Sequence, residues 1–243
     1  MKFKFNSLKV VNAANICFFG FYSPFFSLGG SRRFIKDSAK VNLELTSELK
    51  EIIVGKMLGD LGSERPNLNC NTRLQFKHTY KQIEYIEHLY LLFKDYCNSP
   101  PKALSWFDNR PNRNKEYKAV KFNTRSLYCF NEFRELFYND NGVKIIPKNL
   151  GDYLTPRALA YWFQDDGYKS VSGFYFSTES FTLEENRFLA ELLHNNFGLD
   201  CGVHSHTNGY RLYIHSTSRE KFIGIIKPYL LPLFYYKLEL DDK

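Results

Sequence analysis

Residues 155–167 read TPRALAYWFQDDG, the most informative stretch of the chain. Thr155 followed by Pro156 is typical of a helix start, because threonine caps free amide groups and proline suits the first turn. Apolar and small residues then follow until two carboxylates and Gly167 end the segment. The sequence therefore predicts a short buried helix with acidic groups at its C-terminal end.

A second stretch resembles the first at a distance of 106 residues: residues 53–60 read IVGKMLGD and align with residues 159–166. A shift of 93 residues relates Tyr117-Lys118 to Tyr210-Arg211, Thr124 to Thr217 and Lys144 to Lys237. These matches predict one internal repeat. The first half would then hold extra residues, either in the loop 67–71 or in the segment 100–115. Chance similarity between segments rich in Phe, Tyr, Lys and Asn is the alternative.

Hydrophobic periodicity predicts the same series of elements in both halves. The predicted helices are 47–60, 81–96 and 127–138 in the first half and 155–166, 183–195 and 219–227 in the second. The predicted strands are 73–79 and 117–124, then 174–179, 201–207 and 210–216. Asn208-Gly209 predicts a tight hairpin turn between the last two strands.

Asp60 and Asp166 both lie at the C-terminal end of a predicted apolar helix. A carboxylate is electrostatically unfavourable there, because the helix dipole already places partial negative charge at that end. If the two helices pack against each other, a bound cation resolves the conflict, and oxygen ligands suit Mg²⁺. Ordinary turns after helices are the alternative, since Asp and Gly are common in turns. The repeat favours the metal site.

The composition excludes several broad classes of protein. The 243 residues include 33 Lys and Arg against 26 Asp and Glu, a net charge of +7, and 17% aromatic residues, which argues against disorder. The basic balance suggests an anionic partner, although most of the excess lies in residues 1–40. We predict a basic extension over residues 1–45, interpreted as a transit peptide, an upstream remnant or a binding arm. No stretch predicts a membrane span.

The two motifs resemble the double motif of single-chain LAGLIDADG homing endonucleases. Residues 153–156 (YLTP) before the second motif, and residues 227–232 (KPYLLP) before residues 236–238 (YKL), resemble the omega-type mitochondrial intron endonucleases in particular. The resemblance covers residues 48–238. The first motif departs from the family pattern, with Lys56 at an apolar position and Leu61 in place of glycine.

The resemblance implies an α+β fold of two pseudo-symmetric αββαββα halves, residues 46–152 and 153–243. The motif helices would lie at the interface, and two curved antiparallel sheets would form a DNA-binding saddle. It implies a monomeric, site-specific double-strand DNA endonuclease of the intron-homing type. Such an enzyme would hydrolyse phosphodiesters on both strands of a long asymmetric target with Mg²⁺ or Mn²⁺, in the mitochondrion or another organelle such as a plastid.

The family's catalytic residues transfer onto Asp60, Asp166, Lys144 and Lys237. The metal ligands would be the carboxylates of Asp60 and Asp166 with the carbonyl groups of Gly59 and Asp165. We interpret the Asp165 side chain as capping or facing solvent.

DNA contacts are predicted on polar residues that alternate along the strands, because a β-ribbon can enter the major groove and read base edges. A solvated polar face would explain any one strand. The predicted residues are Arg73, Gln75, Lys77, Lys121, Asn123, Tyr175, Ser177, His204, His206, Arg211, Tyr213 and His215. The basic segment Lys102 to Lys115 is interpreted as a loop or, with Arg110 and Arg113, as a phosphate clamp.

Other functions remain open. His204 and His206 could ligate a metal, but no third ligand lies nearby in sequence, so base or phosphate contacts are preferred. The main alternative is an intron-encoded RNA maturase, a splicing cofactor on the same fold that binds its own intron RNA without cleavage. A ribosome-associated structural subunit is a third class. Retention of both acids and both lysines favours the endonuclease.

Overall fold

The computed structural model describes residues 43–67, 69–110 and 114–238, and these form two copies of the element order αββαββα. The first half contains α1 (Ser47–Leu58), β1 (Gly62–Glu64), β2 (Arg73–Thr79), α2 (Ile83–Phe93), β3 (Lys102–Asp108), β4 (Lys115–Asn123) and α3 (Asn131–Phe137). The second contains α4 (Pro156–Asp166), β5 (Gly167–Lys169), β6 (Phe174–Phe176), α5 (Leu183–Phe197), β7 (Cys201–His206), β8 (Gly209–Ile214) and α6 (Arg219–Ile226). The predicted fold class and element order are confirmed.

Each half builds one antiparallel four-stranded sheet with the same strand order. The first sheet has the order β1-β2-β4-β3 and the second has the order β5-β6-β8-β7. Inward residues such as Phe76 and Phe122 are buried, whereas the opposite face carries polar side chains. This alternation is typical of antiparallel sheets with one covered face. Each half therefore presents one polar sheet surface.

The motif helices α1 and α4 pack against each other in the core, which joins the two halves. Thr46 caps α1 by accepting the amide of Leu49 at 3.2 Å, and Thr155 caps α4 by accepting the amide of Ala158 at 3.2 Å. Pro156 occupies the first turn of α4, as predicted. Both helix starts thus follow from local sequence chemistry.

The structure corrects three parts of the sequence analysis. Strands β1 and β5 were not predicted, because they are only three residues long and have no alternating pattern. Residues 102–108 form strand β3, paired along its length with β4, so this part of the predicted loop 102–115 is a strand. Helix α1 ends at Leu58, and Gly59 is its C-terminal cap.

Some predictions fall on residues outside the described ranges. Residues 1–42, most of the predicted basic extension, and Arg113 of the predicted phosphate clamp lie there. Within the described ranges, no helix is long and apolar enough to cross a membrane.

Candidate active site and nucleic-acid surface

The two motif helices cross where their side chains are smallest. A Cβ atom at Gly55 would lie 2.1 Å from the carbonyl oxygen of Ala158, and one at Gly59 would lie 2.5 Å from the Asp165 carboxylate. Glycine is therefore required for this close approach. The crossing brings the C-terminal ends of α1 and α4 together, and both predicted catalytic acids with them.

Asp60 and Asp166 share a negative environment. Asp60 follows the cap of α1 with a side chain 54% exposed, and Asp166 is the last residue of α4. Burial and the carboxylates of Asp165 and Asp60 raise the pKa of Asp166 to about 8. Partial burial and the Asp165 carboxylate also raise the pKa of Asp60. Such crowding favours a bound proton or a bound cation.

The two predicted catalytic lysines contact the helix ends in matching ways. Nζ of Lys144 donates to the carbonyl oxygen of Gly59 at 2.9 Å, at the end of α1. Nζ of Lys237 donates to the carbonyl oxygens of Gln164 at 2.7 Å and Asp165 at 3.4 Å, at the end of α4. Burial lowers the pKa of Lys144 and lowers that of Lys237 to about 8. Each lysine offsets the negative end of one helix dipole.

The carbonyl groups of Gly59 and Asp165, predicted as extra metal ligands, thus accept hydrogen bonds from these lysines. A carbonyl oxygen has two lone pairs. Their role as metal ligands stays a prediction.

A buried ion pair that the sequence analysis missed joins α1 to α4. Nζ of Lys56 donates to Oδ1 of Asp165 at 2.7 Å, and the two side chains are 1% and 0% exposed. Oδ2 of Asp165 accepts the backbone amide of Asp60 at 2.9 Å. The interpretation of Asp165 as facing solvent is therefore wrong: its side chain caps the end of the opposite motif helix.

Two further side chains complete this buried cluster. Nε2 of His78 lies 3.0 Å from Nζ of Lys56, and the Tyr85 hydroxyl donates to Oδ1 of Asp165 at 3.2 Å. Burial and the Lys56 charge lower the pKa of His78 to about 4, so the ring is neutral near pH 7. An ammonium group can only donate, so Nε2 accepts and Nδ1 carries the proton. Nδ1 then points to Oε1 of Gln82 at 3.2 Å.

The acidic residues fit a divalent cation at one place. Among the described residues, Asp60, His78 and Asp165 have ligand atoms within 4.8 Å of one another. Lys56 already neutralises Asp165 and contacts His78. Asp166 lies close enough to this group for the Asp165 and Asp60 carboxylates to raise its pKa, and carboxylate oxygens are the ligands that Mg²⁺ and Mn²⁺ prefer.

The outward face of the first sheet is strongly basic. Strand register places Lys77 opposite Lys121 and Lys121 opposite Lys102, so three ammonium groups form a row across β2, β4 and β3. Among the described residues, none of the three has an acidic partner. Like charges directly opposite destabilise a sheet, so this lysine row fits a polyanion. Nearby, Nζ of Lys77 lies 4.8 Å from the Trp106 ring centre.

Other predicted contact residues of this sheet have internal partners. Arg73 donates to Glu64 at 2.6 and 2.9 Å, and Gln75 also donates to Glu64. Asn123 pairs with Gln75 in register. These polar side chains stand beside the lysine row on the same face.

The outward face of the second sheet is aromatic instead of basic. Tyr213 packs against Tyr175 with ring centres 4.6 Å apart, against His204 at 4.9 Å and against His215 at 5.1 Å. The Tyr175 hydroxyl and Nδ1 of His204 are 2.8 Å apart. Ser177 follows β6 directly, and its amide donates to the Asp166 carbonyl at 3.0 Å.

The charged residues of the second sheet are largely balanced. Arg211 donates to Glu179, and Nδ1 of His206 lies 3.8 Å from the same carboxylate. Arg110, after β3 of the first sheet, is likewise paired with Asp108 at 2.6 and 2.8 Å. The positive surface is therefore concentrated on the lysine row.

Sequence reasoning also missed Lys102 and Trp106 on the polar face. Strand β3 alternates only weakly and directly follows Pro100-Pro101, so little in the local pattern pointed to these two residues. The signal for the buried cluster was Lys56 itself, a charge in an otherwise apolar helix.

The comparisons with known proteins agree with this architecture. Residues 50–222 match the family described as the LAGLIDADG DNA endonuclease family. The chain is 32% identical to the cytochrome b mRNA maturase bI2 of Debaryomyces hansenii, over 96% of this chain and 90% of the relative. It is 31% identical to the protein of the same name in Saccharomyces cerevisiae, over 80% of this chain but only 48% of that relative.

The solved structure of the homing endonuclease I-WcaI bound to its DNA recognition sequence is also similar. The TM-score is 0.77 at 29% sequence identity, and the match covers 88% of this chain and 95% of that chain.

Proposed function

The chain belongs to the LAGLIDADG DNA endonuclease family, and we propose that it is a site-specific double-strand DNA endonuclease of the intron-homing type. It would act as a monomer on a long asymmetric target. Two unlike sheet faces in one chain suit an asymmetric sequence, because each face meets a different part of the target.

One observation carries this proposal: two acids stand at the ends of two crossing helices, and one lysine contacts each helix end. Asp60 and Lys144 would serve the scissile phosphate of one strand, and Asp166 and Lys237 that of the other. Two such half-sites in one chain account for cleavage of both strands.

Membership of this nuclease family implies a divalent metal, and we propose Mg²⁺ or Mn²⁺ held by Asp60 and Asp166. When bound, the cation stabilises negative charge on the attacking and leaving oxygens. Asp166 must lose its proton before it can bind the cation, because crowding raises its pKa to about 8. The Gly59 and Asp165 carbonyl groups are proposed as additional ligands.

The lysines would stabilise charge that develops on the phosphate. The Lys237 pKa of about 8 also lets that group exchange a proton near neutral pH. Both ammonium groups are held by backbone carbonyls, so little reorganisation is needed when DNA binds.

DNA would lie across both polar faces. The lysine row would contact phosphates of one part of the target, and a bound polyanion would relieve the repulsion among its ammonium groups. Polar and aromatic side chains such as Gln75, Asn123 and Tyr213 would read base edges or pack on sugars. Arg73, Tyr175, Ser177, His204, His206, Arg211 and His215 are proposed as further contacts, as are Arg110 and Arg113.

The test is selection of cleaved sites from a DNA library with Mg²⁺, followed by assays on the selected site. Wild type should linearise a plasmid, and a chelator should abolish the reaction. Asp60→Asn and Asp166→Asn should each still cut one DNA strand and cut the other at least about a hundredfold more slowly. The slowed strand should differ between the two variants. If wild type cleaves no site at all, the endonuclease proposal is wrong.

The second candidate is an intron RNA maturase, favoured by the maturase names of two relatives. It predicts that the protein promotes splicing of its intron RNA and that neither aspartate substitution affects this. We also propose an organellar location, in the mitochondrion or a plastid, because the relatives act on cytochrome b mRNA by name. Cell fractionation with an antibody to this chain checks it.

A further inference from the structure

The buried ion pair between Lys56 and Asp165 has no role in the chemistry described so far. Its two side chains are almost fully buried, 1% and 0% exposed, and they come from opposite halves of the protein. Taking two charges out of water is costly unless other groups satisfy them. The cluster around the pair provides those groups.

Each charged group of the pair has more than one partner. Lys56 donates to Asp165 and to Nε2 of His78, and its Nζ lies 4.7 Å from the Tyr85 ring centre. Asp165 accepts Lys56 and the Tyr85 hydroxyl on Oδ1, which leaves Oδ2 for the backbone amide of Asp60 at 2.9 Å. The network therefore holds the backbone of Asp60, a proposed metal ligand.

The second half has no equivalent of this arrangement. The 106-residue repeat places Gly59 where α4 has Asp165, and Trp162 where α1 has Lys56. Trp162 is buried and packs on Phe176 with ring centres 4.2 Å apart. A side chain at Gly59 would collide with the Asp165 carboxylate. The crossing thus has room for one such pair only.

Lys56 also occupies the space that a second cation would need. Its Nζ lies 3.0 Å from Nε2 of His78 and 2.7 Å from Oδ1 of Asp165, inside the group of ligand atoms formed with Asp60. The amine is covalently part of α1, so this positive charge cannot diffuse away. It fixes the carboxylate that in turn holds the Asp60 amide.

We propose that Lys56 and Asp165 are positioning residues for Asp60, and that they make the two half-sites unequal. The inference rests on the proposed function. The pair fixes the position of Asp60 through the hydrogen bond from the Asp60 amide to Oδ2 of Asp165. Asp166 is positioned by helix α4, of which it is the last residue. Loss of the pair should slow the strand that depends on Asp60 more than the other strand.

The test uses the double variant Lys56→Met/Asp165→Leu, which removes both charges and leaves neither one buried alone. We expect target affinity close to wild type and a lower rate constant for one strand, by about tenfold to a hundredfold, as for small displacements of reacting groups. Nicked circles should accumulate. The slowed strand should be the one lost in Asp60→Asn.

A matched control disturbs a buried polar contact elsewhere. Tyr96→Phe removes the hydrogen bond that the hydroxyl of the buried Tyr96, in the same half as Asp60, donates to the carbonyl oxygen of Glu44 at 2.7 Å. It should lower stability without biasing the strands. Equal slowing of both strands in the Lys56/Asp165 variant, or no slowing, would overturn the proposal.

A second measurement does not depend on cleavage. Hydrogen exchange at the Asp60 amide should speed up in the double variant, while the Leu61 amide, which donates to the Lys56 backbone carbonyl at 2.9 Å, should keep its protection. Unchanged exchange at Asp60 would also overturn the proposal. If wild type cleaves no DNA, the proposed function fails, and the exchange result still decides whether Asp165 holds Asp60.

Discussion

The ends of the two motif helices have the same backbone plan but different interiors. At both ends an acid stands close to a lysine that contacts terminal carbonyl groups. Beneath Asp60 lies a polar cluster of Lys56, His78, Tyr85 and Asp165, whereas helix α4 has the buried Trp162 at the place of Lys56. The two halves therefore share the acids and lysines proposed for catalysis but differ in the buried side chains that pack beneath them.

The largest expected effect breaks the polar support on one side. Lys56→Met leaves the Asp165 carboxylate buried without its cation, so the free energy of unfolding should fall by about 3 to 5 kcal/mol. Lys56→Met/Asp165→Leu should recover most of that loss, since no charge stays buried. Urea denaturation of both variants measures this, and equal stability of the single and double variants would contradict it.

The next effect tests whether the two lysines are equivalent. Lys144→Met and Lys237→Met should each slow one strand by about a hundredfold, because each removes one charge that stabilises the phosphate. Strand-specific labels report which strand is slowed. If either substitution slowed both strands alike, the assignment of each lysine to one DNA strand would be wrong.

A smaller effect concerns pH and the acid of the second helix. Asp166 has a pKa of about 8 in the folded protein and 3.8 as its ordinary value. Between these values the folded state binds more protons than the unfolded state, so the contribution of Asp166 to stability falls as pH rises from about 4 to about 8. Asp166→Asn should remove this dependence and stabilise the metal-free protein by about 1 to 3 kcal/mol at pH 8.

Thermal unfolding at several pH values checks this prediction. Mg²⁺ should raise the melting temperature of wild type more at pH 8 than at pH 6, because protons compete with the metal for the carboxylate. A Mg²⁺ effect that does not vary with pH would contradict the assignment.

The smallest effect compares the two sheet faces. Lys121→Ala removes one phosphate contact from the lysine row, so the slope of log affinity against log salt should flatten by about 0.9. Tyr175→Phe in the second sheet should leave that slope unchanged and alter affinity in a sequence-dependent way. Binding titrations at several salt concentrations separate the two.

Much of this architecture follows from local patterns. The caps at Thr46 and Thr155, the apolar helices and the shared register of Lys144 and Lys237 are all readable in the sequence, because each depends on near neighbours or on the repeat. The placing of the acids at helix ends follows from the same patterns.

The features that escaped depend on distant partners. Lys56 pairs with Asp165, which lies 109 residues away in sequence. The position of Lys56 in an apolar helix does not indicate which carboxylate it contacts. Strand β3 is defined by its pairing with β4, and its own residues alternate only weakly. Arg73 and Arg211 look like free cations in sequence, but Glu64 and Glu179 lie against them in the fold.

The helix crossing also limits how such a protein can be assembled from parts. Two copies of the first half would place Lys56 opposite Gly59, so two ammonium groups would be buried without the Asp165 carboxylate. Two copies of the second half would instead bury Asp165 against Asp165 with no ammonium group between them. Only the unlike halves neutralise each other, so transplanting one half into a relative requires residues 56, 59 and 165 to be exchanged as a set.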